Sequence, residues 1–171
     1  MKKILYAFFA ASCFFAACNP KDPVETPAIY DPTPYDLKIG DFPTPNLPSD
    51  NKPTVAGVLL GRMLFYEKML SKDGTQACAN CHKQQDAFSD IRQFSIGVEG
   101  LPGKRQAMAV MYLAWHQNGL FWDGRAPKVR DQALKPIQDP LEMNETLPNV
   151  VAKLTADKKY TDQFIRAFGD A

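Results

Sequence analysis

Cys78-Ala79-Asn80-Cys81-His82 is the stretch on which the reading of this chain turns. Two thiols separated by two residues can add to the two vinyl groups on one edge of a porphyrin. The residue that follows then offers an imidazole nitrogen to the iron, so one helical turn supplies both tether and ligand. The same cysteine spacing also serves redox dithiols and half of a zinc site. A redox pair is expected inside a βαβ pattern, and no such pattern is visible; zinc needs two further ligands, and His116 is the only other histidine. The motif therefore predicts one covalently bound haem c, attached at Cys78 and Cys81, with His82 as axial ligand of the iron.

Working outward, Lys72-Asp73-Gly74-Thr75 reads as a turn leading into the motif. Before it, Val55, Val58, Leu59, Arg62, Met63 and Tyr66 recur at helical spacing, with Thr54 as N-cap after Pro53. After the motif, Ser95 to Lys104 holds three glycines and a proline and reads as a loop. Gln106 to His116 reads as a helix with Ala107, Val110, Met111 and Ala114 on one apolar stripe. Pro127 suits the first turn of a helix running to Lys135 and closed by Pro136. Two more helices are expected near Pro148–Thr155 and Thr161–Phe168, the second stopped by Gly169. No strand-period segment competes. The expected fold is an all-α, loop-rich, haem-centred c-type cytochrome domain over residues 54–171.

The N-terminus reads as an export signal over residues 1–17. Lys2 and Lys3 form a basic region, and Ile4 to Phe15 is an uncharged apolar run too short to span a bilayer. It ends in Phe15-Ala16-Ala17-Cys18, which resembles the lipobox of bacterial lipoproteins, so Cys18 is the expected lipidation site and Cys13 leaves with the signal. Ordinary secretion with cleavage near Ala17 is the alternative. Residues 18–53 form a proline-rich tether and extended segment: Asn19 to Pro53 carries nine of the fourteen prolines, which cannot be helical. Its second half, from Tyr35, has enough apolar residues to lie against the domain. The expected location is the periplasmic side of a bacterial membrane, reached through the lipid anchor alone. Without Lys2 and Lys3, 18 basic side chains stand against 19 acidic ones. That balance gives no electrostatic footprint for nucleic acid.

A further set of motifs surrounds the cysteines. Gly61-Arg62-Met63-Leu64-Phe65-Tyr66, Leu70 to Thr75, Phe88-Ser89-Asp90, Phe121-Trp122-Asp123-Gly124-Arg125-Ala126, Asp131 to Ile137 and Pro140-Leu141-Glu142-Met143 occur in this order. Together they resemble the bacterial di-haem cytochrome c peroxidase family, MauG-type enzymes included, in its N-terminal peroxidatic half. The resemblance implies reduction of hydrogen peroxide to water with electrons from a small cytochrome c or cupredoxin, and it admits a homodimer. It implies that Glu142 moves the peroxide proton, that Gln132 helps hold peroxide, and that Trp122 relays electrons. Arg125 and Pro136 match positions that shape the haem pocket. On residue type alone, a loop glutamate reads as solvated and a tryptophan as core.

Three departures from the family pattern stand out. The loop Ser95-Ile96-Gly97-Val98-Glu99-Gly100 lacks the histidine that caps the resting iron in many relatives; Glu99 is close to that position. The family asparagine associated with calcium is Gln106 here, so the resemblance does not carry calcium across. No second Cys-x-x-Cys-His follows, so a second haem domain is expected in a longer, full-length protein. His116 reads as a surface or hydrogen-bonded residue, and Met108 and Met111 as packing residues, more readily than as sixth ligands. Two other functions stay open: a non-enzymatic electron-transfer cytochrome, and a MauG-like oxidase of a protein side chain.

Overall fold

The computed structural model describes residues 26–171. The export signal and Cys18 lie outside the described residues. Five helices follow in order: α1 (Val55–Phe65), the single turn α2 (Cys78–Cys81), α3 (Val129–Gln138), α4 (Leu147–Thr155) and α5 (Lys158–Phe168), with 3-10 turns at Lys68–Leu70, Gln84–Asp86 and Leu113–Trp115. No β-strand occurs among the described residues, only isolated bridges. The expected all-α, loop-rich class is what the chain adopts.

The helices with local start and stop signals fall where those signals put them. Thr54 caps α1 by accepting from Gly57 N–H at 3.0 Å, and Thr146 caps α4, with Pro148 in its first turn. Gly169 closes α5 in the left-handed region, φ 92°. In helix α1, Val55 and Leu59 stay exposed, as does its cap Tyr66, and Ala56 and Leu60 are the buried residues. The reason lies in α5. Small Ala56 and Ala167 let the two helices come close, around buried Tyr160, and Gln163 Nε2 donates to Ala56 O at 2.9 Å. A second cluster joins Leu70, Ile137, Met143 and Val150, and Leu64 and Leu154 pack against both.

Two expected helices need correction. Gln106–His116 is not a helix; only Leu113–Trp115 makes a 3-10 turn, and Tyr112 is left-handed at φ 56°. Its backbone groups are committed elsewhere. Val110 N–H donates to Phe88 O at 3.0 Å, and Ala107 O accepts from Ser89 Oγ at 2.7 Å. The helix expected from Pro127 to Lys135 begins at Val129 and runs through Pro136 to Gln138. Proline so near the C-terminal end removes one donor, the one that would reach Gln132 O, and the helix ends two residues later.

Residues 31–53 form no helix but are laid along the domain. Asp31 N–H donates to Arg166 O, Val55 N–H to Thr33 O and Tyr35 N–H to Pro53 O. Phe42 stacks on Tyr112, 5.4 Å between centroids, and Arg130 grips Asp50 with two hydrogen bonds. None of the helices in the described residues is long and apolar enough to cross a membrane.

One polar lock connects the helices to the motif. Lys153 Nζ, on α4, donates to Ser71 O at 2.8 Å, Met69 O at 3.1 Å and Glu145 Oε2 at 2.5 Å. Ser71 is fully buried, and its Oγ accepts from Gln76 N–H at 3.1 Å, just ahead of α2. The Lys153 and Asn149 hydrogen bonds hold the Glu145 carboxyl down, from 4.5 to about 2. A carboxyl depressed on folding stabilises the fold above its unfolded value and loses that contribution as pH falls through its folded value. Glu145→Gln should therefore melt earlier than wild type at pH 6. The gap between the two proteins should close as pH falls from 4.5 toward about 2, as thermal melts across that range will measure.

Candidate haem site

Helix α2 presents the two thiols and the imidazole together. Asn80 Oδ1 accepts from Ala77 N–H at 2.9 Å and fixes the start of the turn, and His82 N–H donates to Cys78 O at 2.9 Å and closes it. Both cysteines are half-buried, and burial pushes both thiols above their ordinary range.

The chain then doubles back to hold the imidazole. Phe88 N–H donates to Lys83 O at 2.8 Å and Lys83 N–H to Ser89 O at 3.0 Å. The reversal puts Ala87 and Phe88 in the left-handed region, φ 56° and 55°, which costs about 1 kcal/mol or more at each non-glycine residue. The return is that Phe88 O lies 3.2 Å from His82 Nδ1. A proton on Nδ1 donated to that carbonyl leaves Nε2 as the metal-binding nitrogen. Burial lowers the imidazole's proton affinity, which favours the neutral, ligating form; the carbonyls of Phe88 and Met108 oppose it. Asp90 anchors the far side of the turn. Its buried carboxylate accepts from Arg92 Nη2 at 2.6 Å, Arg92 Nε at 3.0 Å and Ser95 Oγ at 2.9 Å, which holds the carboxyl far below its usual range.

The remaining predicted residues occupy three places. Glu142 sits between α3 and α4, half-buried. Burial pushes its carboxyl up, Asp139 adds to that, and the Arg125 guanidinium opposes it. Its charge in turn raises both Cys78 and Cys81, so Glu142, Arg125 and the two thiols share one electrostatic neighbourhood. Gln132 and Pro136 lie one helical turn apart on α3. The chain returning from α3 is stapled to the helix end, with Met143 N–H on Pro136 O at 3.1 Å and Glu145 N–H on Ile137 O at 2.8 Å. Arg125 is placed by Phe121, over whose ring it stacks at 3.6 Å, and by Asp123, to which it donates at 2.9 Å. Trp122 is 60% exposed, with its indole N–H donated to Gln106 O at 2.9 Å.

Several residues carry roles that residue spacing left unseen. His116 is exposed. Met111 is exposed too, not packed as expected. Glu99, near the position of the family's capping histidine, is tied to Lys72 Nζ at 2.6 Å and Asn144 Nδ2 at 2.9 Å. Gln106, expected only as a departure from a calcium-associated asparagine, bridges Asp90 O and the Trp122 indole. No cluster of three or more metal-binding side chains occurs among the described residues.

The donor set fits a c-type haem. Two cysteines share one turn, and the histidine's Nδ1 is engaged by a carbonyl. Residues 83–126 also bury almost nothing of their own: only Asp90, Leu120 and Ala126 are buried there. Phe88, Met108, Val110, Leu113 and Phe121 remain half-exposed, as expected of side chains that pack on a porphyrin.

The helical, strandless fold and this donor set define a c-type cytochrome domain. The profile of the di-haem cytochrome c peroxidase family matches residues 55–171, and the chain belongs to that family; haem c is the cofactor the family implies. The chain is 37% identical over 123 residues to the methylamine utilization protein MauG of Methylophilus methylotrophus, covering 72% of this chain and 36% of that protein. To the cytochrome c peroxidase Ccp of Escherichia coli (strain K12) it is 37% identical over 112 residues, covering 65% and 24%. A solved MauG-like protein associated with microbial copper homeostasis superposes with TM-score 0.72 at 36% identity, covering 79% of this chain and 40% of that one. The chain thus spans about a third of the length of the curated relatives it matches.

Matured with haem, the protein should keep its colour through acid–acetone extraction, with a mass one porphyrin above the polypeptide. Replacing both cysteines, Cys78→Ala with Cys81→Ala, should make the haem extractable. The haem-free chain should show no native-like cooperative melt, because the half built by residues 83–126 then lacks its packing partner.

Proposed function

We propose that this chain is a peroxidatic haem domain that reduces hydrogen peroxide to water with electrons from a small donor protein. The observation that carries the reading is Glu142: a half-buried carboxyl whose proton affinity burial raises and whose charge reaches the two thiols of α2.

Cys78, Cys81 and His82 hold the haem, which supplies the redox-active iron at which peroxide is reduced. Overall, peroxide takes up two electrons and two protons and leaves as two waters. Glu142 takes the proton from one peroxide oxygen and returns it to the other, so that the departing oxygen leaves as water, not hydroxide. Its raised proton affinity suits it to hold that proton between the two transfers, and Arg125 keeps the deprotonated form within reach. Gln132 contributes an amide donor for peroxide, and Pro136 leaves the Gln132 carbonyl without its helical partner. Trp122, exposed and oriented by Gln106, is the electron relay.

The domain's surroundings belong to the same proposal. Residues 1–17 are an export signal, Cys18 is lipidated, and residues 18–53 link the anchor to the haem domain over 54–171, on the periplasmic side of a bacterial membrane. One haem resides in this chain. A second haem domain passes on the electrons in the full-length protein, as the family name implies.

Two experiments test this. In stopped-flow mixing of the ferric holoprotein with peroxide, Glu142→Gln should slow the spectral change by roughly 10²–10⁴-fold; an equal rate removes Glu142 from the mechanism. Cys18→Ala should release the protein from the membrane fraction or block its processing, because acyl chains supply the membrane affinity. Unchanged membrane association there would contradict the anchor.

A further inference from the structure

The segment Ser95–Gly103 folds back on itself. Gly97 N–H donates to Leu101 O at 3.0 Å, Gly100 N–H to Gly97 O at 3.0 Å, and Gly103 N–H to Ser95 O at 2.9 Å. Ser95 Oγ moors one end to the buried Asp90 carboxylate at 2.9 Å. The other side of this hairpin presses on the backbone that carries Glu142. A Cβ built at Gly97 would lie 2.1 Å from Leu141 O and 2.8 Å from Glu142 O, so no side chain fits there. Val98 N–H donates to Glu142 O at 2.8 Å. One residue on, Glu99 is tied to Lys72 and, at 2.9 Å, to Asn144. From the opposite direction, Glu142 N–H donates to Asp139 O at 2.9 Å.

We propose that Gly97 and Val98 are positioning residues for Glu142, and that the Lys72–Glu99–Asn144 clamp keeps their hairpin seated. The proposal rests on the reading of Glu142 as the proton-transfer group. A carboxyl that must meet two different oxygens in turn has to be held to within a fraction of an ångström. Glu142 has no helix of its own to hold it, since α3 ends at Gln138 and α4 begins at Leu147. The hairpin supplies that rigidity by gripping the peptide group at Leu141–Glu142. The Lys72–Glu99 pair is exposed at both ends, with side chains 57% and 42% accessible, and such pairs contribute little alone. The close approach at Gly97 is therefore the decisive contact, and the clamp retains it.

The test compares Gly97→Ala with Gly103→Ala in the holoprotein. Gly103 lies on the same hairpin, but a Cβ there meets nothing closer than Ser95 O at 3.6 Å. Two quantities are read: the rate of reaction with peroxide, and the infrared carboxyl band of Glu142 followed against pH, identified by its loss in Glu142→Gln. Gly97→Ala should lower the rate on the order of 100-fold and move the Glu142 titration toward the ordinary carboxylate range. Gly103→Ala should change neither. If Gly97→Ala does not fold, the Lys72→Met/Glu99→Gln double variant takes its place. It should exchange the Val98 amide faster and move the Glu142 titration the same way. A folded Gly97→Ala with wild-type rate and titration overturns the proposal, as does a double variant with unchanged Val98 protection and unchanged titration. The titration is read without turnover, which separates the two claims. If Glu142→Gln reacts at full speed while Gly97→Ala still shifts the band, the positioning stands and the proton-transfer role falls.

Discussion

Residues 83–126 make up the loop-rich part of this domain, and they cannot be stable by burial of their own side chains. Asp90, Leu120 and Ala126 are their only buried residues, while each ordered residue costs roughly 1–2 kcal/mol of backbone entropy. The organisation around α2 is a response to that constraint. Hydrogen bonds and ion pairs replace the missing core: the Asp90 hub, the Ser89 and Gln106 links, the Arg105–Asp123–Arg125 group. The helical half, α1 with α5 and α3 with α4, has a conventional apolar interior. The proposed haem would complete the loop-rich half, and covalent attachment would suit a site that has to form around its cofactor.

The same division explains what could be read from the sequence. The starts of α1 and α4 and the end of α5 are set by side chains next to them in the chain, Thr54, Thr146 with Pro148, and Gly169, so local reading succeeds. Gln106–His116 fails because its apolar spacing resembles a helix while its amides and carbonyls answer to Ser89, Phe88, Trp122 and His82, all distant in sequence. The buried face of α1 is likewise set from outside: Ala56 is small, and only the approach of α5 makes it the contact residue. The proposed haem donors are picked out by their spacing, and the fold keeps Cys78 and Cys81 in one turn with His82 at its end.

Glu142 is a different case. Nothing in its neighbours along the chain distinguishes it from a solvated loop glutamate, and the family resemblance alone singles it out. Its special character comes from groups the fold brings in: Asp139 behind it, Arg125 from the Trp-Asp-Gly-Arg turn, and the thiols of α2. Gly97 is more hidden still. In sequence it is one of three glycines in a loop, and only the 2.1 Å approach to Leu141 O shows why this one cannot carry a side chain.

The proposed peroxide chemistry would need an iron held by His82 and left free of a second protein ligand. The hairpin Ser95–Gly103 contains no histidine, and its Glu99 is engaged by Lys72 and Asn144. Electron paramagnetic resonance of the ferric holoprotein measures this coordination. An axial high-spin signal, from iron with a water or vacant sixth position, is the predicted result. A low-spin signal from two strong protein ligands, His82 with His116 or a methionine, would contradict the account.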